Sequence, residues 1–279
     1  MSATVSRSAK SPVRYPLVRL LGGYFVAEYR YTNLSKWWGA IIAFGFGNPV
    51  LYLLSVGLGI GLLVDANTDS AGTLGGVSYL QFLAPALLAA AAIQGVLDEV
   101  TFPTMDGFIW EKHFFAIQNS PITPRQIANG VLLIAIFRGF ITTIMYLAVL
   151  LLFGAIPWSS VLALVLTSMF AAVAFSAVMM GITAALKDDD GFFAIIGRFV
   201  IAPMFLFSGT FYPLELMPIY LQWIGWISPL WHATELGRFL SYGDPLGPGM
   251  FAIHLGYFVV MFVAGMWYSY YQFVKKLSE

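Results

Sequence analysis

Runs of apolar residues, each near the 20 or so that a helix needs to cross roughly 30 Å of hydrocarbon, dominate the chain. Six stand out, over residues 37–64, 79–100, 129–153, 159–186, 192–212 and 248–273. The first is interrupted by Asn48 and Pro49. Near the N-terminus no short apolar core precedes a small-residue cleavage site, so a cleaved signal peptide is not expected. The pattern predicts an all-α integral membrane protein with six transmembrane helices.

The segments between the spans also carry pattern. Residues 1–14 are rich in Ser, Arg and Lys and read as a disordered cytoplasmic tail. Over residues 15–36 the period turns helical: Arg19, Gly23, Arg30 and Asn33 fall on one side, and Leu17, Leu21, Tyr24 and Phe25 on the other. That is the pattern of an amphipathic helix in the cytoplasmic interface, ahead of a single transmembrane domain over 37–279. Glu28 interrupts its apolar side. Either the helix kinks there, or this face docks on protein with Glu28 paired to a partner's basic residue.

Between the second and third spans, residues 106–119 predict a short amphipathic helix. Phe108, Ile109, Trp110, Phe114, Phe115 and Ile117 are its apolar members; Glu111, Lys112, His113 and Gln118 are its polar ones. Ser120 and Pro121 end it, and Thr123 to Gln126 restart a helix with a capping box and proline in the first turn. The outcome is a stiff cytoplasmic protrusion. Before the last span, residues 213–245 are too apolar for a solvated loop, and Ser228 with Pro229 opens a second short helix that stops at Gly243. Two pieces each too short to cross predict an external re-entrant helical hairpin.

Composition sharpens this picture. The chain is 59% apolar and only 10% charged, against about a quarter charged in soluble domains, which excludes an ordinary soluble enzyme. Fourteen basic residues balance 14 acidic ones, so no electrostatic drive toward nucleic acid exists. Arg7, Lys10, Arg14, Arg19, Arg30 and Lys36 precede the first span; Lys112, Arg125, Lys187 and Arg198 follow the second and fourth; Lys275 and Lys276 close the chain. Residues 65–78 and 154–158 have no basic residue, and only Arg238 falls in the third loop of that side. Both termini are therefore expected in the cytoplasm.

Chemistry is sparse. No cysteine exists, and no glycine is followed by lysine, as a phosphate-binding loop requires. His113, His232 and His254 stand apart without metal-ligand spacing, and no nucleophile–base–acid set is visible, so neither a metal site nor catalytic residues are expected. Charges inside the membrane are costly and few. Arg138 either snorkels to the headgroups or pairs with Asp98 or Glu99. His232, Glu235 and Arg238 form a polar cluster on the hairpin, read first as an internal pair holding it and second as a contact for a polar substrate head. The acidic run Asp188, Asp189 and Asp190 reads as helix capping. Gly45, Gly47, Gly57, Gly59 and Gly61 mark the first span for close helix approach.

Several stretches carry a likeness: residues 47–61 from Gly47 and Asn48 to Gly61, residues 76–85, and residues 202–213 from Ala202 to Pro213. Leu216 to Pro218 and Ser228 to Leu230 follow them. With the span order they resemble the type-two ABC exporter permeases, within them the nodulation-factor and daunorubicin-type export group. The resemblance implies a membrane subunit that is not itself an enzyme, in the cytoplasmic (inner) membrane. It would work with a separate ABC ATPase subunit carrying ATP and Mg, and with a second copy of this chain or a related permease. The substrate would be an amphiphile (a drug, lipid or lipo-oligosaccharide). Residues 106–119 would be the coupling helix, with Phe108, Trp110, Glu111, Lys112 and Phe114 on the ATPase and Glu28 flanking. The transport path would fall on Phe44, Asn48, Tyr52, Phe205, Ser208 and Phe211. Rival readings are a polysaccharide-exporting permease, a membrane-embedded lipid-modifying enzyme and a non-transporting anchor.

Overall fold

The computed structural model describes residues 16–67, 74, 76–188 and 191–278. The expected tail over 1–14, and Asp189 and Asp190 of the acidic run, lie outside them. The described residues are helical, with no strand among them. Five helical stretches are long and apolar enough to cross a membrane.

Helix α1 (Pro16–Leu34) starts on a proline, whose fixed φ suits a first helical position. Gly22, Val26, Arg30 and Leu34 recur every four residues and form its buried stripe. The stripe lies on the first half of α7 (Pro124–Leu152). A Cβ at Gly130 of α7 would stand 2.5 Å from Val26 and 2.8 Å from the Gly23 carbonyl, so the two helices meet almost backbone to backbone. Arg30, expected on the polar side, is therefore buried, while Leu20, Leu21, Tyr24 and Phe25 point away from the protein. The apolar side expected from periodicity is the outward one, as an interfacial helix requires.

A 3₁₀ turn leads into α2 (Trp38–Tyr52), a π-helical stretch (Leu53–Ile60) and α3 (Gly61–Asn67). Pro49 inside α2 has no N–H for the preceding turn, and the wide π turns begin four residues later. The first span is thus continuous but irregular. Only 24% of its apolar window is buried, against 72% in the next.

That next span, α4 (Tyr79–Val100), opens on a capping box of Ser78 and Gln81 and forms the centre of the protein. After the short α5 (Phe102–Met105), the predicted amphipathic helix over 106–119 is instead two pieces, a π turn (Asp106–Trp110) and α6 (His113–Gln118). Lys112 breaks them at φ 55°, the only non-glycine in the left-handed region among the described residues. After it, α7 begins at the predicted capping box of Thr123 and Gln126, with Pro124 in its first turn.

Helix α8 (Val161–Ala185) packs on α4, α7 and α13 (Met250–Ser278). The α8–α13 seam depends on Gly265, where a Cβ would meet the Val178 backbone nitrogen at 2.7 Å. Gly265→Ala should therefore destabilise the protein by about 1–3 kcal/mol, the usual cost of overpacking. Gly256 on the same helix has nothing within 4 Å of its added Cβ. Thermal melting in detergent should show a loss for the first variant and none for Gly256→Ala.

The expected span over 192–212 is shorter than predicted. It consists of α9 (Phe192–Ile196), a π turn (Gly197–Ile201) and α10 (Ala202–Phe207). Its 16 residues from Phe192 to Phe207 fall below the crossing length of the other five. The chain then turns at Gly209 (φ 69°). Two short helices follow, α11 (Ile219–Ile227) and α12 (Pro229–Tyr242), with the Ser228 side chain capping the second. Most of α12 is buried against α4 and α8, so it belongs to the core and not to a surface loop.

Candidate functional site

Three sites concentrate the polar and cavity-forming residues. The first is a buried ion network where α1, α4 and α7 converge. Arg30 Nε and Nη2 donate to Glu99 Oε1 at 3.1 and 2.5 Å, and Nη2 also reaches the Glu99 carbonyl at 3.1 Å. Arg30 is only 3% exposed and Glu99 4%. Arg138 donates to Asp98 at 2.8 Å and Glu99 at 3.5 Å, which resolves its two readings in favour of pairing. The Arg30 contact escaped the sequence reading, because periodicity placed this arginine on the solvent side. Glu99, a carboxylate at the end of a span, was the available signal.

This network adjoins the segment over residues 106–119. Phe108 and Phe114 pack edge to face at 4.9 Å, and Phe273 of α13 meets Phe108 at 4.9 Å. Arg30 lies over Phe114 at 5.8 Å and Lys276 over Phe108 at 4.9 Å. Of the six residues expected to face an ATPase, Phe108 and Phe114 are thus inside the chain's own core and cannot touch a partner. Hydrophobic side chains on a piece this short are drawn onto the nearest apolar span end. Glu28, Trp110, Glu111 and Lys112 are exposed. Trp110 stacks on Phe102 (6.4 Å, 15° between planes), and Phe102 meets Phe193 at 4.8 Å, tying this tip to the start of α9.

His113 sits between the two sites, with its Nε2 buried and unpartnered and its ring 5.5 Å from Tyr29. Burial, and next the Arg30 charge, hold its pKa below the ordinary imidazole value; Asp106 opposes them at 3.8 Å. The seated segment thus binds a proton less readily than the unseated one, so its stability falls as pH drops below the unfolded pKa of about 6.5. Once the intrinsic pH dependence of amide exchange is divided out, protection over residues 106–118 should be lower at pH 5.5 than at pH 7.5, and His113→Gln should remove that difference.

The second site is a cleft of about 380 Å³ between the first, second and fifth expected spans. Its size falls in the range of small-ligand sites, about 300–1,000 Å³. Asn48, Tyr52 and Phe205, three of the six expected path residues, line it, together with Gln94, Tyr146 and Met204. Tyr52 meets Phe205 edge-on at 6.3 Å, and Phe211 stands on Phe205 at 5.3 Å without lining the cleft. Phe44 points outward, 66% exposed. Ser208 is buried, donates to the Met204 carbonyl and accepts from the Ser228 hydroxyl, a structural role at the turn into the hairpin. Gln94 and Tyr146 were missed because a single glutamine or tyrosine in an apolar run carries no periodic signal.

The third site holds the hairpin. Arg238, buried to 2% exposure, donates to Glu235 at 3.1 Å and to the Gly209 carbonyl at 2.7 Å, and lies 3.6 Å above the Phe82 ring. His232 does not join this pair. Its Nδ1 lies 2.6 Å from Nδ1 of His254 on α13, while its Nε2 faces the Trp226 carbonyl at 3.1 Å. The carbonyl can only accept, so His232 carries its proton on Nε2 and His254 donates from Nδ1. Two histidines that look isolated in sequence thus form one hydrogen-bonded pair.

A core of apolar helices long enough to cross a membrane, with two short helices packed into it before the last, is compatible with a transport permease. A family profile for the ABC-2 type transporter matches residues 25–241, and the chain belongs to that family. It is a multi-pass membrane protein and the permease subunit of a transporter. Nodulation protein J of Rhizobium leguminosarum bv. viciae is 27% identical over 238 residues, covering 83% of this chain and 88% of that one. Nodulation protein J of Rhizobium meliloti (strain 1021) is 27% identical, covering 84% and 85%. The inner membrane transport permease YadH of Escherichia coli (strain K12) is 26% identical over 161 residues, 57% of this chain and 61% of that one.

Proposed function

We propose that the chain is one membrane half of an ATP-driven exporter, moving an amphiphile out of the cytoplasm or the inner leaflet. In this reading the chain crosses six times, with the short α9–α10 stretch as the fifth crossing and α11–α12 as a re-entrant hairpin, so both termini share one side of the inner membrane, the cytoplasmic side by the distribution of Lys and Arg. A separate ABC ATPase subunit binds ATP and Mg, and a second copy of this chain or a related permease completes the path. The observation that carries this reading is the exposed tip of Trp110, Glu111 and Lys112 on a segment seated against α13 through Phe108 and Phe114. A rigid tip converts closure of an ATPase dimer into rigid-body motion of the spans. The cleft at Asn48 and Tyr52 is the chain's share of the path.

Purification of the tagged chain from its native membrane should recover a soluble subunit with a phosphate-binding loop in stoichiometric amount. Recovery of the chain alone, under mild detergent and with a nucleotide analogue present, would sink the reading. In the recovered complex, Trp110→Ala should uncouple ATP hydrolysis from substrate movement while membrane insertion is retained. Unchanged export in that variant would remove Trp110 from the transmission route.

A further inference from the structure

We infer that the cleft selects uncharged amphiphiles, and that Asn48 and Gln94 are its specificity-determining residues, taking a hydroxyl or amide of the substrate between them. The inference rests on the exporter reading and assigns the substrate class of the same site.

The lining carries it. None of the residues around the cleft is Asp, Glu, Lys, Arg or His. The body of the site is apolar, with Leu87, Met204 and Phe205 among its walls. Asn48 and Gln94 are exposed polar side chains on this lining, one from α2 and one from α4. The Asn48 amide makes no hydrogen bond among the described residues, although it lies ten residues into its helix, about 15 Å from the start at 1.5 Å per residue. Gln94 uses its Nε2 on Asp98 at 2.7 Å, and among the described residues no hydrogen bond occupies its carbonyl oxygen. An amide on an otherwise apolar wall of a membrane helix is the group that a substrate hydroxyl or amide can complete.

A charged headgroup finds no counter-ion among the lining side chains. Asp98, which accepts from Gln94, is already paired with Arg138 at 2.8 Å, and Arg198, on the π turn between Gly197 and Ile201, is exposed and is not among the lining residues. A cation or anion entering the cleft therefore loses its hydration with no charge to replace it, whereas a hydroxyl or amide exchanges water for the Asn48 amide and the Gln94 carbonyl. Tyr52, whose hydroxyl is buried without a partner among the described residues, adds a third uncharged polar group to the same walls.

The test uses the full chain in lipid nanodiscs and three photo-crosslinking probes. All share one diazirine-bearing alkyl chain and end in a hydroxyethyl amide, a carboxylate or a trimethylammonium. Labelling of peptides containing Asn48 or Gln94 is followed by mass spectrometry as a function of probe concentration. The amide probe should half-saturate at a concentration on the order of tenfold lower than either charged probe, the factor expected for a charge desolvated without a partner. Asn48→Leu and Gln94→Leu should each weaken the amide probe by about threefold to tenfold, the worth of one hydrogen bond, while the charged probes change little. Equal or tighter labelling by a charged probe overturns the inference, as does a doubly substituted chain that keeps the preference. Absence of labelling by all three, as when a second copy fills the cleft, overturns it too. Should a leucine variant fail to fold, the ranking of the three probes on the unaltered chain still decides. No ATPase subunit is needed for these measurements. Failure of the exporter reading would show separately, as intact probe selection in a chain that recruits no nucleotide-hydrolysing partner.

Discussion

Arg30→Met should destabilise the protein by about 3–5 kcal/mol, because it strands the Glu99 carboxylate inside the fold without its nearest cation. The loss is larger than for a surface pair, since both side chains are at most 5% exposed and the guanidinium also serves two backbone carbonyls, of Glu99 and Pro103. Arg138 cannot take over: it stands 3.5 Å from Glu99 and is already committed to Asp98 at 2.8 Å. The double variant Arg30→Met with Glu99→Leu should recover part of the loss, because replacing both members of a buried pair by apolar groups removes the stranded charge. Thermal melting of the purified variants checks both statements. A double variant less stable than the sum of the singles would contradict them. Since Arg30 also covers Phe114, the single variant should speed hydrogen exchange over residues 106–118.

Arg238→Met should produce the second large effect, again about 3–5 kcal/mol, at the opposite end of the molecule. It leaves Glu235 with no positive partner, frees the Gly209 carbonyl and removes the cation from the Phe82 ring. Arg238→Lys should rescue only part of this. An ammonium can stay over the ring, but it cannot donate to Glu235 and Gly209 with the fixed fork of a guanidinium. Melting gives the size of the loss. Protease sensitivity of the chain between α10 and α12 gives its place, because Arg238 is what ties the turn at Gly209 to α12 and α4. An Arg238→Met protein as stable as wild type would show that the hairpin is held by the His232–His254 pair and by apolar packing alone.

These two arginines show what the sequence made legible and what it hid. The capping box at Thr123 and the Ser228 cap come from local pattern, and local pattern survives folding. Arg138 was readable because its partners lie one crossing away at a known depth. Arg30 was not, since its meaning depends on α1 lying backbone to backbone on α7 through Gly130, a tertiary fact. The split of residues 106–119 at Lys112 was hidden for a similar reason: a left-handed lysine has no composition signal and is fixed by the packing of Phe108 and Phe114 on Phe273. The cleft was half visible. Asn48, Tyr52 and Phe205 lie in stretches that carried the family likeness, whereas Gln94 and Tyr146 join them only through the third dimension.

The two π-helical stretches of the membrane helices, over Leu53–Ile60 and Gly197–Ile201, have a mechanical consequence. Wide turns exchange the regular i→i+4 ladder for a looser one, so a helix containing them bends under a smaller load. Both stretches border the same cleft, beside Tyr52 on one side and at Gly197 and Ile201 on the other. The second span, which supplies Leu87 and Gln94, is the most deeply held helix of the protein. The cavity thus has one stiff wall and two compliant ones. Any load on these helices would fall first on the soft walls, so a change of cavity width would come from their yielding while Gln94 stays in register.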